Sequence, residues 1–231
     1  MGSIGSRLQE VKGRIARACR AAGRAENSVT LLAVSKTFDA AAVRLAHAAG
    51  QRRFGENYVQ EALAKIAALV DLRAQVEWHL IGPLQSNKTR PVAEAFDWVH
   101  SVDRLKVAER LAEQRPSGLA PLQLCLQVNV SDEASKSGVA VHEAAALAAA
   151  VAALPREKVH LRGLMAIPKP AADEEAQRAP HRRLAELLQA INAQQGLALD
   201  TLSMGMSADL EAAVLEGATM VRVGTAIFGA R

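Results

Sequence analysis

The sequence predicts an α/β protein built as one closed (β/α)8 barrel, a TIM barrel, with an extra helix at its N-terminus. The chain has 231 residues, and barrels of about 200 to 250 residues commonly form one domain. Eight apolar runs rich in β-branched residues alternate with Ala-rich segments of helical spacing. Most of these runs are apolar on both faces, as strands of a parallel sheet covered on both sides must be. We therefore expect a single barrel domain over residues 1–231.

The predicted elements follow one another in βα order. Residues 3–22 have the period of an amphipathic helix that would flank the barrel, with an apolar face made of Ile4, Leu8, Val11, Ile15 and Ala18. The predicted strands span residues 29–35, 52–54, 76–81, 98–102, 122–130, 159–166, 201–204 and 220–223. The predicted helices span residues 38–49, 58–72, 88–95, 104–114, 141–154, 174–194 and 208–215. An open doubly wound sheet is the alternative, but it is expected to carry a Gly-rich turn after its first strand, where this chain has Ser35-Lys36-Thr37.

The composition indicates a cytoplasmic protein without a nucleic-acid or membrane partner. Half of the residues are apolar, but only four Phe, two Trp and one Tyr are present, so the core must be mainly aliphatic. The 28 basic and 24 acidic residues are scattered, and no basic segment is interleaved with aromatic residues for stacking on bases. The longest apolar run, residues 144–154, is far shorter than the ~20 residues that span a bilayer, and residues 1–10 contain no apolar stretch of signal-peptide length. Cys19 and Cys125 form no Cys-x-x-Cys motif, so we expect reduced thiols.

Polar residues that could carry chemistry follow the predicted strands, each group at the carboxyl end of its strand. In a (β/α)8 barrel these ends meet at one mouth, where the active sites of this fold lie. The residues are Lys36, Glu56, Asn57, residues 79–85, Ser101, Asn129, and residues 165–168, 203–207 and 222–225.

Lys36 ends the apolar run VTLLAVS, so its stem would be held by apolar neighbours while its amine points into the mouth. Partial burial favours the neutral amine, which is the form that attacks an aldehyde to make a Schiff base. The other interpretation is that Lys36 has no chemical role and only packs its apolar stem against the end of the strand, with its amine in solvent.

The C-terminal segment, residues 202–229, predicts a phosphate pocket. Barrels often bind phosphate between the loops after strands seven and eight. Ser207 lies where an N-cap would begin the helix at residue 208, and Gly224 and Thr225 offer a backbone N–H and a second hydroxyl after the last strand. Asp209, in the first turn of that helix, should complement the helix dipole and point away from a bound anion.

Two further motifs are weaker. Residues 82–89, GPLQSNKT, resemble a nucleotide-binding P-loop but have Asn87 in place of its second glycine, and they follow a barrel strand. His79 fits either a hydrogen-bonded histidine at the barrel mouth or a residue beside a cofactor. The six histidines lack metal-ligand spacing, so no metal site is expected.

Seven segments, in order along nearly the whole chain, carry a family resemblance. They are AVSK at 33–36, FGENYVQE at 54–61, WHLIGPLQSNK at 78–88, QVN at 127–129, SKSG at 135–138, LMAIP at 164–168 and SMGMSADLEAAVLEGATMVRVGTAIFGAR at 203–231. They closely resemble the pyridoxal phosphate homeostasis protein family, which is related to the N-terminal barrel of alanine racemase. The resemblance implies a barrel that binds pyridoxal 5′-phosphate (PLP) as an internal aldimine.

Carried over by position, the resemblance implies that Lys36 is the Schiff-base lysine, that Asn57 neighbours the pyridine ring and that Arg222 faces the ring nitrogen. The phosphate cradle and the wall beside it would comprise Ser207, Gly224, Thr225 and Met204. The chief departure from the family is Pro180-His181, where relatives tend to carry an aromatic residue. We expect it to affect helix packing and to leave the site unchanged.

Arg222 indicates what the cofactor would do. A guanidinium only donates hydrogen bonds, so it can bond a ring nitrogen that is unprotonated, and an unprotonated ring is a poor electron sink. We therefore expect a non-catalytic protein, and the family resemblance implies a monomer that acts in vitamin B6 homeostasis and supplies PLP to apo-enzymes. The alternative is an amino-acid enzyme of the racemase type, although such racemases take a tyrosine from a second domain and we expect Tyr58, the one tyrosine here, to be a packing residue. A barrel that binds phosphate or a nucleotide without PLP is the third hypothesis.

Overall fold

The computed structural model describes residues 2–131 and 137–229, and these form the predicted barrel. Its strands are β1 (Thr30–Val34), β2 (Arg53–Glu56), β3 (Glu77–Leu80), β4 (Trp98–Val102), β5 (Leu122–Asn129), β6 (Val159–Met165), β7 (Thr201–Ser203) and β8 (Met220–Val223). All eight are parallel to their neighbours, and they are joined in chain order, with β8 beside β1 to close the sheet. A two-residue strand, Val139–Ala140, pairs with the end of β5. Ser135 and Lys136 of the SKSG motif lie outside the described residues.

Helices cover the outer surface of the barrel. They are α1 (Ile4–Ala21), α2 (Ala40–Ala48), α3 (Val59–Ala68), α4 (Thr89–Ala95), α5 (Leu105–Gln114), α6 (Ala144–Ala152), α7 (Glu174–Gln195), α8 (Leu210–Leu215) and α9 (Thr225–Phe228). The single-domain (β/α)8 class predicted from the sequence is therefore confirmed. In the parts of the chain that the structure covers, no helix is both long and apolar enough to cross a bilayer.

The extra N-terminal helix flanks the barrel, as predicted. Ser3 caps α1 by accepting the N–H of Ser6 at 3.1 Å. The apolar face of α1 is buried against α2, α8 and α9. Arginines of α1 and of the turn after it donate to carbonyl groups of the C-terminal segment, from Arg7 to Phe228 O at 3.2 Å and from Arg24 to Val214 O at 2.9 Å. The first helix thus anchors the segment that follows β7 and β8.

Three local predictions were wrong. Helix α8 begins at Leu210, two residues later than predicted, and its N-cap residue is Asp209 instead of Ser207. The short helix α9 was not predicted. Tyr58 precedes α3 but is 55% exposed, so it is not a packing residue.

The core has an outer layer between strands and helices and an inner layer inside the barrel. The inner layer contains two apolar clusters, one of Leu32, Val34, Ile81 and Met220, the other of Trp98, Cys125 and Met165. Cys19 and Cys125 are both buried free thiols, and burial raises the pKa of Cys125 to about 12. The barrel also holds buried polar side chains, among them His79, His100, Ser203 and Arg222, which are joined by hydrogen bonds.

Candidate functional site

The seven residues that the sequence singles out lie at one end of the barrel. β2, β1, β8 and β7 are consecutive neighbours in the sheet, with Val34 opposite Gly55 and Leu32 opposite Arg222. Because the strands are parallel, the residues that follow them emerge at the same end. The set comprises Asn57 after β2, Lys36 after β1, Arg222 in β8 with Gly224 and Thr225 after it, and Met204 and Ser207 after β7.

Lys36 lies in a tight turn beyond β1. The next residue, Thr37, has a φ of 66°, a left-handed conformation that is costly for a β-branched residue. The turn is held by the Phe38 N–H, which donates to Ser35 O at 3.1 Å, and by the Thr37 N–H, which donates to Glu61 Oε1 at 2.5 Å. Lys36 is partly buried, and among the described residues its amine has no hydrogen-bond partner. A strained but well-bonded turn therefore presents a free amine.

A buried ion pair lies beneath this turn. Lys65 on α3 donates to Glu56 Oε1 at 2.6 Å, to Ser35 O at 2.8 Å and to Glu61 Oε1 at 3.1 Å, which uses all three N–H groups of its ammonium. The Ser35 hydroxyl also donates to Glu56 Oε1, at 2.6 Å. Burial raises the pKa of the Glu56 carboxyl, although the Lys65 ammonium and the Ser35 hydroxyl oppose this shift. Sequence reasoning missed Lys65, whose one local signal is its i, i+4 spacing from Glu61.

Asn57 offers a free acceptor in the site. Its amide oxygen is buried and has no hydrogen-bond partner among the residues that the structure describes. Its backbone lies against Gly82, where an added Cβ would be 2.2 Å from Asn57 O, so only glycine fits at that position. The loops after β2 and β3 are therefore in direct contact and fix the Asn57 backbone.

Arg222 is buried inside the barrel, near the mouth. Its Nη1 donates to Ser203 Oγ at 2.8 Å and its Nη2 donates to Ala166 O at 2.8 Å. Burial lowers the pKa of Arg222 to about 10, while Asp209 opposes the shift. The guanidinium is therefore charged at neutral pH, and its remaining N–H groups have no acceptor among the described residues.

The loop between β7 and α8 is closed by a carboxylate. Gly205 has a φ of 89°, and a Cβ there would be 2.5 Å from the Ala213 side chain, so glycine is required. Asp209 Oδ1 accepts the Met206 N–H at 2.7 Å, and Asp209 Oδ2 contacts Nε2 of the buried His181 at 3.0 Å. Burial raises the pKa of Asp209, but the bonds from His181 and Met206 outweigh it, and the net pKa is lowered.

These contacts correct two expectations. Asp209 does not lie in the first turn of the helix, as expected, but directly precedes α8, and its carboxylate bonds the Met206 N–H of the loop. The departure at Pro180-His181 is not confined to helix packing, since His181 bonds the same carboxylate and so supports the loop that carries Ser207. The loop is also held from outside, where Arg14 of α1 donates to Ser207 O at 3.0 Å and pairs with Glu211.

The two loops after β7 and β8 present free backbone donors side by side. The N–H groups of Ser207, Gly224 and Thr225 have no acceptor within residues 2–131 and 137–229. Gly224 packs close to β1, where an added Cβ would be 3.2 Å from Val34 O. Several free N–H groups and two hydroxyls on adjacent loops suit an anion with several oxygens, such as a phosphate.

Behind Arg222, a chain of hydrogen bonds runs through the barrel interior, and sequence reasoning missed it. Ser203 Oγ lies 2.8 Å from His100 Nδ1, His100 Nε2 lies 2.9 Å from His79 Nδ1, and His79 Nε2 lies 2.8 Å from Glu77 Oε1. His79 is fully buried and lies inside the barrel, so its expected place at the mouth is wrong. It is hydrogen-bonded at both ring nitrogens, in agreement with the structural interpretation of this residue.

Comparisons with known proteins agree with this architecture. The family model of the alanine racemase N-terminal domain matches residues 7–231. The pyridoxal phosphate homeostasis protein of Pseudomonas aeruginosa is 63% identical over 231 residues, covering 100% of this chain and 97% of that protein. The protein of the same name from Escherichia coli is 52% identical over 232 residues, covering 100% of this chain and 98% of that protein.

A solved structure with a bound ligand is also similar. PipY of Synechococcus elongatus, solved with PLP bound, has a TM-score of 0.85 and 40% sequence identity. The match covers 98% of this chain and 100% of that chain.

Proposed function

This chain belongs to the pyridoxal phosphate homeostasis protein family, and we propose that it binds PLP at the barrel mouth, as a Schiff base on Lys36, and supplies it to apo-enzymes. One observation carries the proposal. Three kinds of group without a partner in the described part of the chain lie at one end of three adjacent strands: the Lys36 amine, the remaining N–H groups of the buried Arg222 guanidinium and a set of backbone N–H groups. These are the partners that an aldehyde, a pyridine nitrogen and a phosphate each require.

The residues present fit PLP at each of its functional groups. Lys36 would hold the cofactor covalently, and the bound cofactor supplies an aldehyde carbon that condenses with the amine and releases water. Ser207, Gly224 and Thr225 would hold the phosphate, with the fully buried Met204 as the wall beside them. Asn57 would bond a polar group near the ring through its unpaired amide.

Arg222 favours carriage over catalysis. Its guanidinium has donors only, so it would bond the ring nitrogen through the nitrogen lone pair and keep that nitrogen unprotonated. Carbanion chemistry on PLP needs a ring that accepts electrons, and an unprotonated ring does so poorly. The masked aldehyde is then protected from other amines until an apo-enzyme takes it. That the protein acts as a cytoplasmic monomer stays a prediction from the sequence.

The first experiment is spectroscopic. Purified protein with added PLP should show a visible imine band, and borohydride reduction with peptide mapping should place the label on Lys36. Lys36→Ala should lack the band, whereas Lys106→Ala, which removes an exposed lysine of α5, should retain it. Absence of the band in the wild-type protein, or label scattered over surface lysines, would leave the phosphate-binding loops in need of another ligand.

Two further assays separate carriage from catalysis. With added L-alanine in deuterated water, a carrier should exchange the α-proton no faster than free PLP does, whereas a racemase-type enzyme would exchange it rapidly. For supply, the loaded protein should reactivate a PLP-dependent apo-enzyme in the presence of a scavenger that destroys free PLP. Loss of reactivation under the scavenger would mean that the cofactor only leaks into solution.

A further inference from the structure

The chain of hydrogen bonds behind Arg222 can run in only one direction. The Arg222 guanidinium can only donate, and an ionised Glu77 carboxylate can only accept. Burial raises the pKa of Glu77, but its bonds to His79 and Arg53 outweigh it, so the net pKa is lowered and the group is ionised at neutral pH. Burial lowers the pKa of His79, although Glu77 opposes the shift, and lowers that of His100 well below its ordinary value. Both rings are therefore neutral, with one donor and one acceptor nitrogen each.

These conditions fix the position of every proton in the chain. His79 Nε2–H must donate to Glu77, so His79 Nδ1 must accept from His100 Nε2–H. His100 Nδ1 then accepts the Ser203 hydroxyl proton, and Ser203 Oγ accepts from Arg222 Nη1–H. One arrangement satisfies all of these atoms, and it leads without interruption from a cation to an anion.

The surroundings strengthen this chain. The two apolar clusters inside the barrel lie around it, and Trp98 stacks on His79 with ring centroids 5.3 Å apart and an angle of 13° between the planes. In such a low-dielectric interior each hydrogen bond polarises the next one. The far end is open, because Glu77 is partly exposed in a depression of about 1110 Å³ formed by the amino ends of the strands. The chain therefore connects that end of the barrel with the mouth.

We propose that Ser203 and His100 are positioning residues that hold the Arg222 guanidinium in the orientation and charge state in which it donates to the ring nitrogen of PLP. The inference rests on the proposed function. Ser203 Oγ and Ala166 O together fix both terminal nitrogens of Arg222, and the commitment of the Ser203 proton to His100 keeps Ser203 an acceptor toward the guanidinium. Loosening Arg222 should weaken PLP retention and let the ring nitrogen titrate, without preventing attachment to Lys36.

Other charged groups also act on this chain. Arg53 pairs with Glu77 at 3.2 Å, and Asp97 acts on His79. At the other end, the charges of Asp209 and, when ionised, Cys125 act on Arg222. None of these four groups interrupts the chain, so their charges stay constant in a variant that changes Ser203 alone.

The first test needs no cofactor. Long-range ¹⁵N–¹H spectra of the histidine rings in the apo-protein report which ring nitrogen carries the proton. We expect both His79 and His100 as the Nε2–H tautomer from pH 6 to pH 8. An Nδ1–H tautomer of either ring, or a charged ring in this range, would overturn the assignment of direction and with it the inference.

The second test removes the link between His100 and Arg222. Ser203→Ala should raise the Kd for PLP about tenfold, as loss of a hydrogen bond to a charged group predicts. It should also move the pH at which the visible band changes upward by about one unit, because the ring nitrogen loses a fixed donor. Ser203→Thr, which keeps the hydroxyl, should restore both values toward wild type and serves as the second variant if Ser203→Ala folds poorly.

A matched control lies on β4, next to His100 in the sequence. Ser101 is not part of the hydrogen-bond chain, and its buried hydroxyl has no hydrogen-bond partner among the described residues. Ser101→Ala should therefore leave the Kd and the pH dependence within about twofold and a few tenths of a pH unit of wild type, by the same reasoning on lost hydrogen bonds. Equal effects of Ser203→Ala and Ser101→Ala would overturn the inference.

The far end of the chain gives the sharpest comparison. Glu77→Gln keeps an acceptor oxygen but removes the charge, and it should shift the band in the same direction as Ser203→Ala, by less. Asp200→Asn removes a carboxylate that lines the same depression and pairs with Arg162, outside the chain, and it should have no effect. In every variant borohydride should still trap PLP on Lys36. If borohydride traps no PLP on the wild-type protein, the proposed function fails. If PLP is trapped, but Ser203→Ala and Glu77→Gln have the same Kd for PLP and the same pH dependence of the visible band as wild type, only the positioning inference fails.

Discussion

Lys65 Nζ lies 2.6 Å from Glu56 Oε1, and both side chains are buried beneath the turn that presents Lys36. The same ammonium donates to the carbonyl of Ser35, the residue before Lys36. The position of the free amine therefore depends on a buried ion pair outside the set of candidate PLP-binding residues. Removing the Lys65 charge should therefore lower the stability of the fold and disturb the position of Lys36.

Lys65→Met should lower the free energy of unfolding by about 3–5 kcal/mol, because it leaves the Glu56 carboxylate buried without its cation. Urea unfolding followed by circular dichroism measures the loss. The double variant Lys65→Met, Glu56→Leu should recover much of it, since a buried ion pair replaced by apolar side chains is often close to neutral. Arg44→Met, which breaks the exposed Arg44–Asp71 pair, should have a far smaller effect. A loss no larger than that of Arg44→Met would contradict the assigned role of Lys65.

The left-handed conformation of Thr37 predicts that glycine is more stabilising than alanine at this position, the reverse of the usual order. At an ordinary position alanine is more stabilising than glycine by about 0.4–1 kcal/mol, because glycine has more freedom to lose on folding. At a φ of 66° a Cβ costs about 1–2 kcal/mol. Thr37→Gly should therefore be more stable than Thr37→Ala by about 0.5–1 kcal/mol, as the difference of these two effects.

Gln60, exposed on α3, provides the control for this order. Gln60→Ala should be more stable than Gln60→Gly by about 1 kcal/mol, the ordinary helical order. Both pairs are compared by urea unfolding in the same buffer. Finding alanine favoured at residue 37 as well would show that the turn relaxes to a negative φ.

The eight strands and the end of the barrel that holds the site follow from local pattern. Each strand is an apolar run such as LLAV in β1, and parallel strands deliver the residues after them to one mouth. The pattern therefore puts Lys36, Asn57 and Arg222 among the residues at this end, and the family resemblance singles them out from the others. Their grouping is a consequence of the fold class and needs no knowledge of contacts.

The residues that support Arg222 are far apart in the sequence, which is why sequence reasoning missed their hydrogen-bond chain. His100 and Ser203 are 103 residues apart, and Arg222 lies 19 residues beyond Ser203. No spacing rule connects them, because they meet only when β4, β7 and β8 enclose the same interior. The prediction of Ser207 as the helix N-cap failed for a local reason. The Asp209 carboxylate bonds the Met206 N–H, and the helix begins only at Leu210.

Asp209 predicts how stability depends on pH. Its pKa is lowered in the folded protein, so its stabilising contribution is present above the unfolded-state pKa of about 3.9 and is lost as the pH falls through the folded-state value. The free energies of unfolding of wild type and Asp209→Asn should differ by a constant amount above about pH 5 and converge below about pH 4. Denaturant unfolding from pH 2.5 to pH 7 measures both curves. A difference that stays constant down to pH 2.5 would show that the carboxylate is not held by His181 and Met206.

The unpaired amide oxygen of Asn57 predicts that replacing this residue has opposite effects on the stability of the apo-protein and on PLP binding. Its buried amide oxygen has no partner within residues 2–131 and 137–229, and leaving such an atom unpaired costs about 1–3 kcal/mol. Asn57→Leu removes the unpaired atom, so the apo-protein should unfold at equal or higher urea concentration than wild type. The same change should raise the Kd for PLP at least about tenfold, because the side chain can no longer bond the ligand.

The chain offers a matched control for the Asn57→Leu experiment. Gln114, at the end of α5, also has a buried amide oxygen without a partner in the described part of the chain, but it lies away from the barrel mouth. Gln114→Leu should match Asn57→Leu in its effect on urea unfolding and leave the Kd for PLP unchanged. If Asn57→Leu lost stability while Gln114→Leu did not, the Asn57 amide would be a structural element of the β2 loop, and its unpaired oxygen would not be kept for a ligand.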